Sequence, residues 1–152
     1  MTAKFLDDLH PGEKFVTGGI TLTESEIIAF ALTYDPQPFH LNAVVAAESI
    51  YGGLIASGFQ VVSLTFRLFI QMGILTESSM GSPGIDELRW FAPARPGDTL
   101  HVEVEVMAVI PSKSKPDRGI VRMRYSAFNQ RHELVSSFVV NHLLRRREAP
   151  NA

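Results

Sequence analysis

SGFQVVSLTFRLFIQMG, residues 57–73, is the stretch on which the fold turns. Ser57 supplies a helix N-cap, Gly73 a stop, and apolar residues fall on nearly every side between them. A helix that is apolar all round belongs inside a core. Its polar interruptions (Gln60, Ser63, Arg67 and Gln71) leave only a narrow wet stripe. Beyond Gly84 the pattern changes to period two. In TLHVEVEVMAVI, Leu100, Val102, Val104 and Val106 alternate with His101, Glu103 and Glu105, the signature of a half-buried strand. GIVRMRYSAFNQ sets Val121, Met123 and Tyr125 opposite Arg122 and Arg124. ELVSSFVVNHLLRRR reads as a last long strand after a short turn around Asn129 to His132, and Pro96 to Asp98 mark a turn before residue 99. Helices first and antiparallel strands after predict an α+β domain, with the sheet curled around the one buried helix.

Upstream, Thr23 with Glu26 three residues on is a capping box, so Glu24 to Thr33 is predicted as a short amphipathic helix with Ile27, Phe30 and Ala31 on one face. NAVVAAES predicts a second. Between them lies TYDPQPFHLN, residues 33–42. Pro36 and Pro38 lock φ and bias Asp35 and Gln37 toward extended geometry, which predicts a stiff, non-helical arm with a carboxylate at one end and an imidazole at the other. Such stiffness suits a site. An Asx turn with a surface imidazole would carry the same residues.

The chain has 152 residues, 45% hydrophobic and 20% charged, with a net charge of −2 and no cysteine. These values predict one soluble globular domain over residues 1–152. They exclude the basic field of a nucleic-acid binder, disulfides and thiolate metal sites. No leader or membrane span is read, and a cytoplasmic protein is expected. His10, His101, His132 and His142 lack metal-ligand spacing, so no metal is expected.

GEKF (Gly12 to Phe15), TLTESEIIAFA, DPQPFH, YGGLIASGF and PARPGDTLHVEVEV together resemble the MaoC-like dehydratases, which include the (R)-specific enoyl-CoA hydratases and adopt the hotdog fold. Asp35, Pro36, Gln37, Pro38, Phe39 and His40 match the family signature in order. Gln37 stands where the signature usually has asparagine, and Tyr34 where a glycine often precedes the aspartate.

The resemblance implies a cofactor-free hydro-lyase that adds water reversibly to a 2-enoyl-CoA thioester. Asp35 would hold the water or act as base, with His40 as its acid–base partner. Ser57 and Gly58, at the start of the central helix, would receive the thioester oxygen, where free N–H groups and the helix dipole favour an anion. Gln37 and Tyr34 are further candidates for the substrate site. Arg89, Lys113, Lys115 and Arg118 are candidates for the CoA phosphates, against the plain reading of a solvated loop. Hotdog proteins generally pair, so a homodimer or an assembly of dimers is implied. A hotdog thioesterase and a non-catalytic acyl-CoA-binding subunit are the alternatives.

Overall fold

In the computed structural model, which describes residues 2–148, the stretch after Ser57 is a helix, α4 (Gly58–Ile70). Ser57 caps it, its Oγ accepting the Phe59 N–H at 3.2 Å. Among the described residues a short 3-10 helix (Leu6–Asp8) and three α-helices precede it: α1 (Glu24–Tyr34), α2 (Pro38–Leu41) and α3 (Ala43–Glu48). Thr23 caps α1 as its sequence predicts, accepting the Glu26 N–H and donating to the Glu26 carboxylate. Asn42 caps α3.

The described residues also form six strands: β1 (Lys14–Val16), β2 (Ile20–Thr21), β3 (Ile85–Trp90), β4 (Thr99–Pro111), β5 (Arg118–Phe128) and β6 (Leu134–Arg145). They form one antiparallel sheet in the order β1-β4-β5-β6-β3, with β2 added to β4. Val102, Val104, Val121, Met123, Tyr125 and Phe138 line its inner face, fully buried. The Arg95–Asp98 turn into β4 places Gly97 at φ 87°, a left-handed conformation that glycine adopts without steric cost.

The sheet wraps around α4 in the hotdog arrangement, but α4 is not buried all round. Val61, Thr65, Leu68 and Phe69 are buried, whereas Phe59, Ser63, Phe66 and Arg67 form an exposed stripe at i, i+4, i+7 and i+8. A helix laid on a single sheet buries one face and needs a further layer to bury the other. Gln60, expected on the wet stripe, is inside. Its Nε2 donates to Glu26 O, and its Oε1 has no hydrogen-bond partner among the described residues.

Two apolar clusters result. One joins Leu6, Leu9, Phe15, Leu68, Phe69 and the strand residues; the other joins Leu22, Ile27, Leu54, Ala56, Val61, Ala94 and Val135 around the first turn of α4. Among the described residues no helix is long and apolar enough to cross a membrane. Nor does any group of three or more His, Cys, Asp or Glu side chains stand ready to hold a metal. His142, on β6, lies in the core with its Nε2 2.7 Å from Tyr125 Oη.

Candidate active site

The residues between α1 and α3 are not the extended arm that two prolines suggest. Asp35 is the C-cap of α1, Pro36 carries the chain through a tight turn closed by Gln37 N–H to Asp35 O at 2.8 Å, and Pro38 starts α2 at its first position. Proline is tolerated there because the first helical N–H has no intrahelical acceptor anyway. The consequence is chemical. His40 sits in that single helical turn, and the chain doubles back to bring the imidazole against the carboxylate.

The two groups meet with His40 Nε2 3.2 Å from Asp35 Oδ2. His40 is buried and its Nδ1 lies 2.7 Å from Ile55 O. A carbonyl only accepts, so Nδ1 carries a proton and Nε2 is the nitrogen free to exchange one. Asp35 is held by two neutral donors: Ser57 Oγ donates to Oδ2 and Gln37 Nε2 to Oδ1, both at 2.7 Å. Burial alone would raise the Asp35 pKa. The hydrogen bonds from Ser57 and Gln37 and the charge of His40 outweigh it and hold the carboxyl below its ordinary value.

This pair lies on the wall of a cavity of about 430 Å³. Its floor is apolar and buried (Ile55, Ala56, Val61, Ala94), and its mouth carries the exposed aromatic rings of Phe59, Trp90 and Phe91. Phe39 and Tyr51 complete the sides. Gly58 lines the same cavity, and its N–H is one of the first-turn donors that a helix cannot satisfy itself. The space at Gly58 is filled by Trp90: a Cβ there would lie 2.5 Å from indole Cε2. The indole Nε1 donates to Gly58 O at 3.0 Å.

Of the sequence candidates, the structure therefore brings Asp35, His40, Gln37, Ser57 and Gly58 together. Tyr34 lies outside the group: it is 72% exposed and packs on Phe30, one helical turn back, with ring centroids 5.0 Å apart. Arg89 is exposed on β3, its guanidinium on its own strand at Leu88 O. Lys113 and Lys115 sit in the loop between β4 and β5, and Arg118 is paired with Asp117 at 2.8 Å. Ala127 shares a sheet row with Trp90 through Ser136, and Gly119 is eight residues further along β5. That end of the sheet is about 26 Å from the site at 3.3 Å per residue. Within one subunit, these loop cations are not part of it.

Sequence reasoning did not find Trp90, Phe39, Tyr51 or Ile55. The WFAPA run, residues 90–94, holds five consecutive cavity-lining residues and is the signal that was available.

Comparison with solved structures gives the class. The crystal structure of the MaoC-like dehydratase from Rhodospirillum rubrum superposes with a TM-score of 0.90 at 41% identity, covering 96% of this chain and 99% of that one. The protein is thus a hotdog-fold chain of the dehydratase type. The model of the MaoC like domain matches residues 8–126, and the chain belongs to the MaoC-like dehydratase family. Among curated relatives, the uncharacterized protein YdeM of Bacillus subtilis is 28% identical over 93% of this chain and 99% of its own length. The (R)-specific enoyl-CoA hydratase of Rhodospirillum rubrum is 29% identical over 72% of this chain and 74% of its own.

Proposed function

We propose that this chain is an (R)-specific enoyl-CoA hydratase, or a closely related acyl-CoA dehydratase, with Asp35 and His40 as its reacting groups. The observation that carries this is the Asp35–His40 contact at 3.2 Å on the wall of an apolar cavity beside the α4 N-terminus. Each partner is locked by a second hydrogen bond of 2.7 Å. Two groups so held are oriented for one water and one substrate face.

The steps follow from the proton inventory. The thioester oxygen is received at the first turn of α4, where the Gly58 N–H and the helix dipole stabilise the developing enolate. Asp35 takes a proton from the water as its oxygen bonds to Cβ. His40, protonated at Nε2, delivers a proton to Cα on the same face. The proton on Asp35 then passes to His40 Nε2, and the pair is restored. Read backwards, the same steps dehydrate a 3-hydroxyacyl thioester.

We place a second copy along β3. It is one of the two edges of the sheet, and the mouth aromatics Phe59, Trp90 and Phe91, beside or on it, are 46% to 62% exposed. Pairing there would continue the sheet and close the mouth.

The test is a continuous assay of crotonyl-CoA and longer 2-enoyl-CoA esters, with loss of the conjugated double bond and release of thiol followed together. Loss of the enone without thiol, giving the (R)-3-hydroxy product, is the expected result. Thiol release would instead make the chain a thioesterase, and silence on both channels across chain lengths would leave either an unusual branched or dicarboxylic acyl-CoA or a subunit that binds and does not react.

A further inference from the structure

Trp90 is the last residue of the edge strand, and it reaches the reacting pair through hydrogen bonds. Its Nε1–H donates to Gly58 O at 3.0 Å. The next link is the same peptide group, whose Phe59 N–H donates to Ser57 Oγ at 3.2 Å. Ser57 Oγ–H in turn donates to Asp35 Oδ2 at 2.7 Å, the oxygen that faces His40 Nε2. Ser57 is fully buried, so water does not compete for the middle of the chain. The indole also occupies the volume that a side chain at residue 58 would need, so the contact is built into the backbone at that point.

We propose that Trp90 is a positioning residue for Asp35, acting through the Gly58–Phe59 peptide group and Ser57. Each donor in such a chain is strengthened by the bond it accepts from the one before. Donation into Gly58 O makes the Phe59 N–H a better donor. That bond makes the Ser57 hydroxyl a better donor to the carboxylate, which favours ionised Asp35 and fixes its Oδ2. The role rests on reading Asp35 as the group that holds the reacting water. The titratable side chains lining the cavity are Asp35, His40 and Tyr51, and the neutral donors on Asp35 are Ser57 and Gln37. The chain therefore acts against a small and named background.

Trp90 is the single tryptophan, so its indole N–H gives one cross-peak in a ¹H–¹⁵N spectrum. That peak should move by more than its linewidth in Asp35→Asn and in Ser57→Ala, although the indole's own hydrogen bond is to Gly58 O and its ring contact is with Phe59. An unmoved peak in both overturns the proposal, and this readout stands whether or not the protein hydrates any enoyl ester. In turnover, Trp90→Phe keeps the aromatic packing on Phe59 and removes the donor. It should lower kcat about tenfold at unchanged KM, a cost typical of slightly misplaced reacting groups. The acid limb of its pH profile should move upward. A loss of kcat with the acid limb in place would make Trp90 a wall of the cavity and nothing more, and would equally overturn the proposal.

Discussion

Substitution of Gly58 by alanine separates stability from turnover. The added Cβ would lie 2.5, 2.7 and 2.9 Å from Cε2, Nε1 and Cζ2 of Trp90. An ordinary contact needs about 3.5 Å or more, so the indole must retreat by about 1 Å. Within one subunit it has room to do so, being 46% exposed at the end of an edge strand. The retreat breaks the Trp90–Gly58 hydrogen bond, worth about 1 kcal/mol net. Replacing glycine by alanine in a helix returns up to about 1 kcal/mol, less in the first turn. The two nearly cancel, so Tm should stay within about 3 °C of the parent. Catalysis has no such compensation. The added methyl and the indole displaced by about 1 Å both stand at the helix end proposed to receive the thioester oxygen, and misplacement there should cost about 10- to 100-fold in kcat/KM. Thermal unfolding by circular dichroism and the enoyl-CoA assay read the two quantities separately. Parent-like kcat/KM with unchanged Tm would refute the placement of the thioester at Gly58.

Replacing His40 by alanine should lower kcat by about 10² or more while the protein stays folded, the usual worth of a positioned acid–base group; a folded variant with near-full activity would remove His40 from the reaction. Asp35 is held below the ordinary carboxyl value of 3.8, so the stability it adds is complete above that pH and is lost as pH falls through the lower folded value. Gln37→Leu removes one of the bonds that lower it, and the acid limb of kcat/KM should move upward; an unmoved limb would mean that Asp35 does not set it. His142 is neutral in the core, burial having pushed its pKa from 6.5 to about 4. The unfolded chain binds that proton first, so stability is full above pH 6.5 and falls toward pH 4, by about 2 kcal/mol between pH 7 and pH 5. His142→Gln should flatten that slope in denaturant unfolding, and an identical slope would refute the assignment.

The long strands were readable because a half-buried strand records its environment every second residue, as Leu100, Val102, Val104 and Val106 do. The short strands β1 and β2, at three and two residues, are too brief to show a period. Ser57 and Thr23 were legible as caps because capping is local. Asp35 and His40 were legible as a pair, but not their meeting, because a proline that forbids helix in the interior is at ease in its first position. Tyr34 and Gln60 were misjudged for one reason: burial on a helix depends on what lies across from it. The expected buried cylinder at α4 ignored that one sheet covers one face. Trp90 owes its place to the register of β3 on β6 and to a glycine 32 residues earlier, and neither is a local property.

The proposed acid and base, Asp35 and His40, are set by a run of six residues, a helix end, a tight turn and a proline-started helix. The side chains that would choose a substrate come from elsewhere: Tyr51 and Ile55 from the chain leading into α4, Phe59 and Val61 from α4 itself, Trp90 to Ala94 from β3 and the segment after it. The pair thus rests on this segment and on two anchors from the chain into α4, Ile55 O and Ser57, while much of the remaining cavity wall is interchangeable furniture. A library that varies Tyr51, Phe59, Val61 and Phe91 would resculpt the cavity while leaving in place the segment and the anchors, Ile55 O and Ser57, that hold Asp35 and His40 together. Selection on new acyl groups in such a library would change specificity without rebuilding the chemistry.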